Sequence, residues 1–157
     1  MIRFIQLVLG VYLCVPFVSA ETKTTSFWTV RNVDANSARI VEVTNTLTAC
    51  ENGLAAYFSS KPKGLTVFTY GTRSSFVEGL IRELGFSNET AAYFAHSSAP
   101  RPMNGKYLVP PDEQLRNVCH EVVHSYLENQ AGKGPLLQVK WFDEGTAGFL
   151  AEQALKE

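Results

Sequence analysis

Residues 119–149 read CHEVVHSYLENQAGKGPLLQVKWFDEGTAGF, which puts His120, Glu121 and His124 in the pattern H-E-x-x-H and Glu144 twenty positions further on, inside WFDEG. Two imidazoles four residues apart lie about 40° from each other around an α-helix, so both can reach one metal ion from the same face. Glu121 lies about 100° from His120 and about 60° from His124, on the flank of that face. That places a carboxylate beside the metal without making it a ligand, as a base acting on water there requires.

The pattern around this stretch is helical. Upstream, Pro110-Pro111 stops whatever precedes, Asp112 can cap, and Leu115, Val118, Cys119, Val122, Val123 and Tyr126 recur at spacings of three and four. They predict one apolar face, with the histidines on the other side of the helix. Downstream, Gly132-Lys133-Gly134-Pro135 ends that helix, and a last amphipathic helix is predicted from Trp141 to near Lys156, with Glu144 in its first turn. Gly145 and Ala147 beside Glu144 are small, which would let the two helices approach closely.

Working back toward the start, Phe27-Trp28-Thr29-Val30 reads as a strand after a polar leader. Asp34, Asn36 and Ser37 offer N-cap chemistry, and Ile40, Val43, Leu47, Cys50, Leu54, Tyr57 and Phe58 mark one face of a long helix ending near Ser59. Leu65 to Tyr70 is the strongest strand pattern. Ser75 with Glu78 reads as a capping box for a short helix closed by Gly85. Ala91 to Ala95 and Lys106 to Val109 are predicted as an antiparallel strand pair joined by a Ser-, Pro- and Gly-rich loop. Asn88-Glu89-Thr90 matches a glycosylation sequon, which marks an exposed bend.

At the start of the chain, Arg3, the apolar run Phe4 to Val18 and the small-residue triplet Val18-Ser19-Ala20 have the form of a signal peptide, residues 1–20, cleaved after Ala20. The run is short for a bilayer span. The expected mature chain is Glu21–Glu157, 137 residues and one domain. Removing Arg3 from fourteen basic residues leaves thirteen against fifteen acidic ones, so no basic stripe suggests nucleic acid. No stable membrane span is expected after cleavage, and the product is secreted, whether periplasmic or extracellular. Cys50 and Cys119 both fall on apolar stripes; they read first as two buried thiols, with a single bridge as the alternative in a compartment that tolerates disulfides.

Zinc suits two imidazoles and a carboxylate, because it takes nitrogen and oxygen donors in a tetrahedron and catalytic sites leave the fourth position open. His120, His124 and Glu144 would supply the three ligands. The ion would lower the pKa of water and polarise a carbonyl, while Glu121 accepts a proton and passes it to the leaving amine. Asp143 could orient a ligand imidazole, or complement the helix dipole at the first turn.

HEVVHSYL followed by WFDEGTAGFL resembles the gluzincin branch of the zincin metallopeptidases, in particular small peptidase MA-like domains with the pattern H-E-x-x-H then W-x-x-E-G-x-A. The upstream order of helices and strands is also similar to a zincin N-terminal subdomain. The resemblance implies an α+β, zincin-like single domain: a small mixed sheet packed on the H-E-x-x-H helix and a following glutamate helix. It also implies zinc on His120, His124 and Glu144, catalysis through Glu121, a peptide or protein substrate, and an edge strand that holds the substrate by β-augmentation, for which Lys106 to Val109 is the local candidate. Larger gluzincins carry a downstream His or Tyr that stabilises the oxyanion. Thirteen residues follow Glu144 here, and none is His or Tyr. Either an upstream group such as Tyr107 or His96 takes that role, each with an ordinary structural reading beside it, or the chain is a minimal or weakened enzyme, or a partner supplies the group.

The leading expectation is a secreted zinc peptidase. The alternative is a catalytically weak or inactive zinc-binding module that holds a peptide or protein partner. A closed structural zinc site would need a fourth ligand, and Cys119 points about 100° away from His120.

Overall fold

The computed structural model describes residues 22–24, 27–34, 37–132 and 139–156. The expected signal peptide with its cleavage point, the Asn36 cap and the Lys133–Pro135 turn lie outside them. Four strands and five α-helices are described: β1 (Thr22–Thr24), β2 (Trp28–Asn32), α1 (Ser37–Leu54), β3 (Leu65–Thr69), α2 (Arg73–Leu84), α3 (Asn88–Tyr93), β4 (Lys106–Val109), α4 (Leu115–Ala131) and α5 (Lys140–Ala154). The class is α+β, with one mixed sheet ordered β1-β2-β3-β4. β1 runs antiparallel to β2 in register Lys23↔Val30, while β2, β3 and β4 are parallel, with Val30↔Val67 and Val67↔Tyr107 opposite one another.

The strand period of two divides the core. Val30, Leu65, Val67, Tyr107 and Val109 join the apolar stripes of α1, α4 and α5 in the larger cluster. Phe68, Tyr70 and Leu108 join Phe76, Leu80 and Ala91 in a smaller cluster with α2 and α3. The sheet is therefore covered on both faces, as parallel strands require. β4 is an outer strand of the sheet order and runs through residues 110–114 into α4, so the sheet fixes where α4 begins.

Several expectations are corrected. Ala91–Ala95 is not a strand: Ser87 caps a short helix by accepting from Thr90 N, and Phe94–His96 continue as a 3-10 turn. β4 pairs parallel with β3 instead of antiparallel with that segment. α1 stops at Leu54, five residues before Ser59, and Thr22–Thr24 adds a strand where a polar leader was expected. The α2 cap is Thr72, whose side chain accepts from Ser75 N, not Ser75 with Glu78; Gly85 closes the helix in the left-handed region as expected, at φ 72°. α4 has Gln114 at its N-cap position and no side-chain cap, and the carboxylate of Asp112 pairs instead with Arg73 at 2.6 Å. Cys50 and Cys119 are not free thiols but a disulfide, Cα–Cα 5.6 Å, tying α1 to α4 one residue before His120. Within α5 the small residues that matter are Ala147, which is fully buried, and Gly148, where a Cβ would lie 3.9 Å from His120 Nδ1; Gly145 faces open space. The outer side of α5 is not polar throughout, since Trp141 and Phe149 are exposed there.

Candidate metal centre

α4 and α5 pack against each other, and their contact brings the predicted residues together. His120, His124 and Glu144 each place one ligand atom so that all three lie within 4.8 Å of one another. His120 Nε2 is 3.1 Å from Glu144 Oε2 and 3.2 Å from His124 Nε2, and His124 Nε2 is 3.7 Å from Glu144 Oε2. The histidines do not face open solvent as the amphipathic pattern of α4 alone suggests. α5 covers them, and His124 is only 3 % exposed.

Asp143 lies beneath the site, 4 % exposed, with Oδ1 3.0 Å from His124 Nδ1. A carboxylate can only accept, so this contact fixes the proton on Nδ1 and leaves the Nε2 lone pair turned toward His120 and Glu144. Burial, reinforced by the Arg101 charge, lowers the His124 pKa and keeps the ring neutral. His120 Nε2 thus lies between two acceptors, His124 Nε2 and Glu144 Oε2, and the three atoms converge on one small volume that calls for a shared proton or a cation. The donor set of two imidazole nitrogens and one carboxylate oxygen fits zinc.

Glu121 stands beside this cluster on α4. Its Oε2 is buried and has no hydrogen-bond partner among the described residues. Burial is the main reason its pKa is raised to about 7; the Arg101 charge works against this, and the nearby carboxylates Glu144, Glu113 and Asp143 work with it. A carboxyl poised there exchanges a proton near neutral pH.

Arg101 belongs to the site and was not singled out from the sequence. It comes from the loop between the 3-10 turn and β4, where a Ser-, Pro- and Gly-rich composition marks only a connection. Its Nη1 donates to Asp143 Oδ2 at 2.5 Å and its Nη2 to Glu144 Oε1. Burial by itself would raise the Glu144 pKa, but hydrogen bonds and charge from Arg101, with His120, outweigh it and hold the carboxyl below its usual range. The two residues weighed for an oxyanion role differ in setting: Tyr107 is fully buried with its hydroxyl unpartnered among the described residues, its pKa raised by burial and then by the nearby Glu121 charge, and His96 is exposed on the 3-10 turn. Comparison of the chain with protein-family models, with curated proteins and with solved structures finds no match.

Proposed function

We propose that the chain is a secreted zinc-dependent peptidase, with His120, His124 and Glu144 holding the ion and Glu121 moving the proton. The observation that carries this reading is the convergence of three ligand atoms within 4.8 Å beside a buried carboxylate that has an unsatisfied oxygen. When bound, zinc would supply the Lewis acidity that polarises a scissile carbonyl and makes water a competent nucleophile. Glu121 takes the proton from the attacking water on Oε2 and returns it to the leaving amine nitrogen, so water is added across the C–N bond. Asp143 holds His124 in the tautomer that leaves Nε2 free to ligate. The position of β4 at the sheet edge is compatible with an extended peptide laid along it. The resemblance of HEVVHSYL and WFDEGTAGFL to gluzincins supports the same assignment, and with it a zincin-like arrangement of sheet and helices.

A second reading is a zinc-holding module that binds a peptide without cutting it. It is favoured by one observation: among the described residues neither the buried Tyr107 hydroxyl, which has no partner, nor the exposed His96 makes a hydrogen bond to the ligand cluster. Cleavage of a quenched peptide mixture by the zinc-loaded chain, compared with Glu121→Gln, separates the two. The peptidase reading expects turnover that falls at least about a hundredfold in the variant. Equal turnover in both, or none in either, contradicts it.

A further inference from the structure

The guanidinium of Arg101 takes one oxygen from each of two adjacent carboxylates and leaves the other oxygen of each turned inward. Oδ2 of Asp143 and Oε1 of Glu144 accept from Arg101, whereas Oδ1 of Asp143 meets His124 and Oε2 of Glu144 meets His120. Neighbouring carboxylates repel, and a carboxylate on its own can rotate about its last torsion. A planar fork bonded to both suppresses the rotation and offsets the repulsion.

The loop that carries Arg101 is itself tied down on both sides. Before it, Ser97 O accepts from Arg73 Nη1 at 2.6 Å, and Ala99 N donates to Glu113 Oε2 at 2.7 Å. Glu113 is buried; its Oε1 accepts from Asn117 Nδ2 at 2.8 Å and its carbonyl accepts from Arg39 Nη2 at 2.5 Å. After it, Met103 and Lys106 exchange two backbone hydrogen bonds of 2.8 Å across a turn in which Asn104 and Gly105 adopt φ 52° and 72°. The turn thereby closes against the start of β4. A long side chain from a loop anchored this way arrives already placed.

We propose that Arg101 is a positioning residue for the metal centre: it sets the rotamers of Glu144 and Asp143, and through Asp143 the ring of His124, so that the site is formed before the ion binds. This rests on the reading of His120, His124 and Glu144 as zinc ligands. Two effects of opposite sign are in play. A guanidinium repels a nearby dication, so charge alone predicts tighter binding once it is removed. Orientation predicts weaker binding. The oxygens that Arg101 engages are the outward ones and not those facing the histidines, so it does not occupy the ligand atoms and orientation prevails.

The test is zinc affinity of the full chain by chelator competition, for the wild type, Arg101→Met and Arg101→Lys, together with the visible spectrum of the cobalt-substituted proteins. Thermal melts in excess chelator monitor the fold. Arg101→Met is expected to bind zinc roughly ten- to a hundredfold more weakly, in the range seen when groups supporting metal ligands are removed. Its cobalt bands shift because Glu144 is no longer held. Arg101→Lys keeps the charge but replaces the rigid planar fork with a flexible ammonium that does not fix both carboxylates, so it too binds more weakly; it carries the test should the methionine variant fail to fold. Equal or tighter zinc binding with an unchanged cobalt spectrum in a folded variant overturns the proposal while leaving the metal site standing. A wild type that binds neither ion removes the metal site and the proposal together.

Discussion

Glu121 is the residue whose environment is most at odds with its chemistry. Burial raises its carboxyl to about 7 from an ordinary 4.5. A raised acid contributes stability that is fully present below the unfolded value and is lost as pH rises through the folded one. Above about pH 7 the cost of holding Glu121 ionised is on the order of 3 kcal/mol. In the metal-free chain, Glu121→Gln should therefore gain stability relative to wild type as pH increases from about 4.5 to about 7.5, read by urea unfolding in chelator at several pH values. A gap independent of pH would mean that Glu121 is better solvated than its unpartnered Oε2 indicates. The meeting of His120, His124 and Glu144, with Glu121 beside them, was legible because it is written in local spacing, i to i+4 on one helix and the N-terminal part of the next. Asp143 was legible in both of its roles, since it lies in the first turn of α5 and also makes the 3.0 Å contact with His124. Arg101 was not legible. Its partners are 42 and 43 residues away, and nothing local distinguishes it from the other arginines of the chain.

Close approach between elements rests on glycine at two places. At Gly53 a Cβ would fall 2.4 Å from Ala154 O and 2.5 Å from Ala154 Cα, so α1 and α5 touch backbone to backbone. At Gly79 it would fall 2.2 Å from the Tyr70 hydroxyl. Gly53→Ala must push α5 away and should cost roughly 1–3 kcal/mol, although alanine is the better helix former. A lower urea midpoint with an unchanged slope checks this. A stabilised variant would show that the helices separate more easily than this contact implies. Long periodic segments were placed correctly from sequence apart from the end of α1 and the cap of α2: α1, α2, α4 and α5 follow 3.6-residue apolar spacing, and β3 follows its β-branched run. Segment 91–95 was misread because Tyr93 and Phe94 were weighed as strand residues. Alanine is the strongest helix former, and Ser87 with Thr90 supplies a cap three residues apart, so local helix formation wins over a strand reading. With that segment helical, β4 has no antiparallel partner there and pairs with β3 through the α2–α3 crossover.

At the scale of the molecule, a disulfide among the described residues joins α1 to α4, the helix that carries the histidines. The Cys50–Cys119 disulfide closes a loop with a sequence separation of 69 residues, and both cysteines are fully buried beside the Tyr126 and Leu47 side of the core. Restricting the unfolded chain by a loop of that length is worth about 4 kcal/mol in the chain-entropy account. The double variant Cys50→Ala, Cys119→Ala should lose stability of that order in chemical unfolding and retain the fold only if the rest of the core exceeds it. A loss under about 1 kcal/mol would indicate that packing alone holds α1 against α4. This link was left open by the sequence because two cysteines on apolar stripes satisfy burial equally well as thiols. Only the meeting of α1 and α4 in three dimensions decides between them.

The central claim is that two histidines and one glutamate from neighbouring helices hold a zinc ion with a position left open. Zinc K-edge X-ray absorption on the full chain loaded with one equivalent tests it most directly. The account predicts a first shell of two imidazole nitrogens and light oxygen donors at about 2.0–2.2 Å, with one nitrogen scatterer lost in His124→Ala. A sulfur shell near about 2.3 Å, or a spectrum that His124→Ala leaves unchanged, would contradict it.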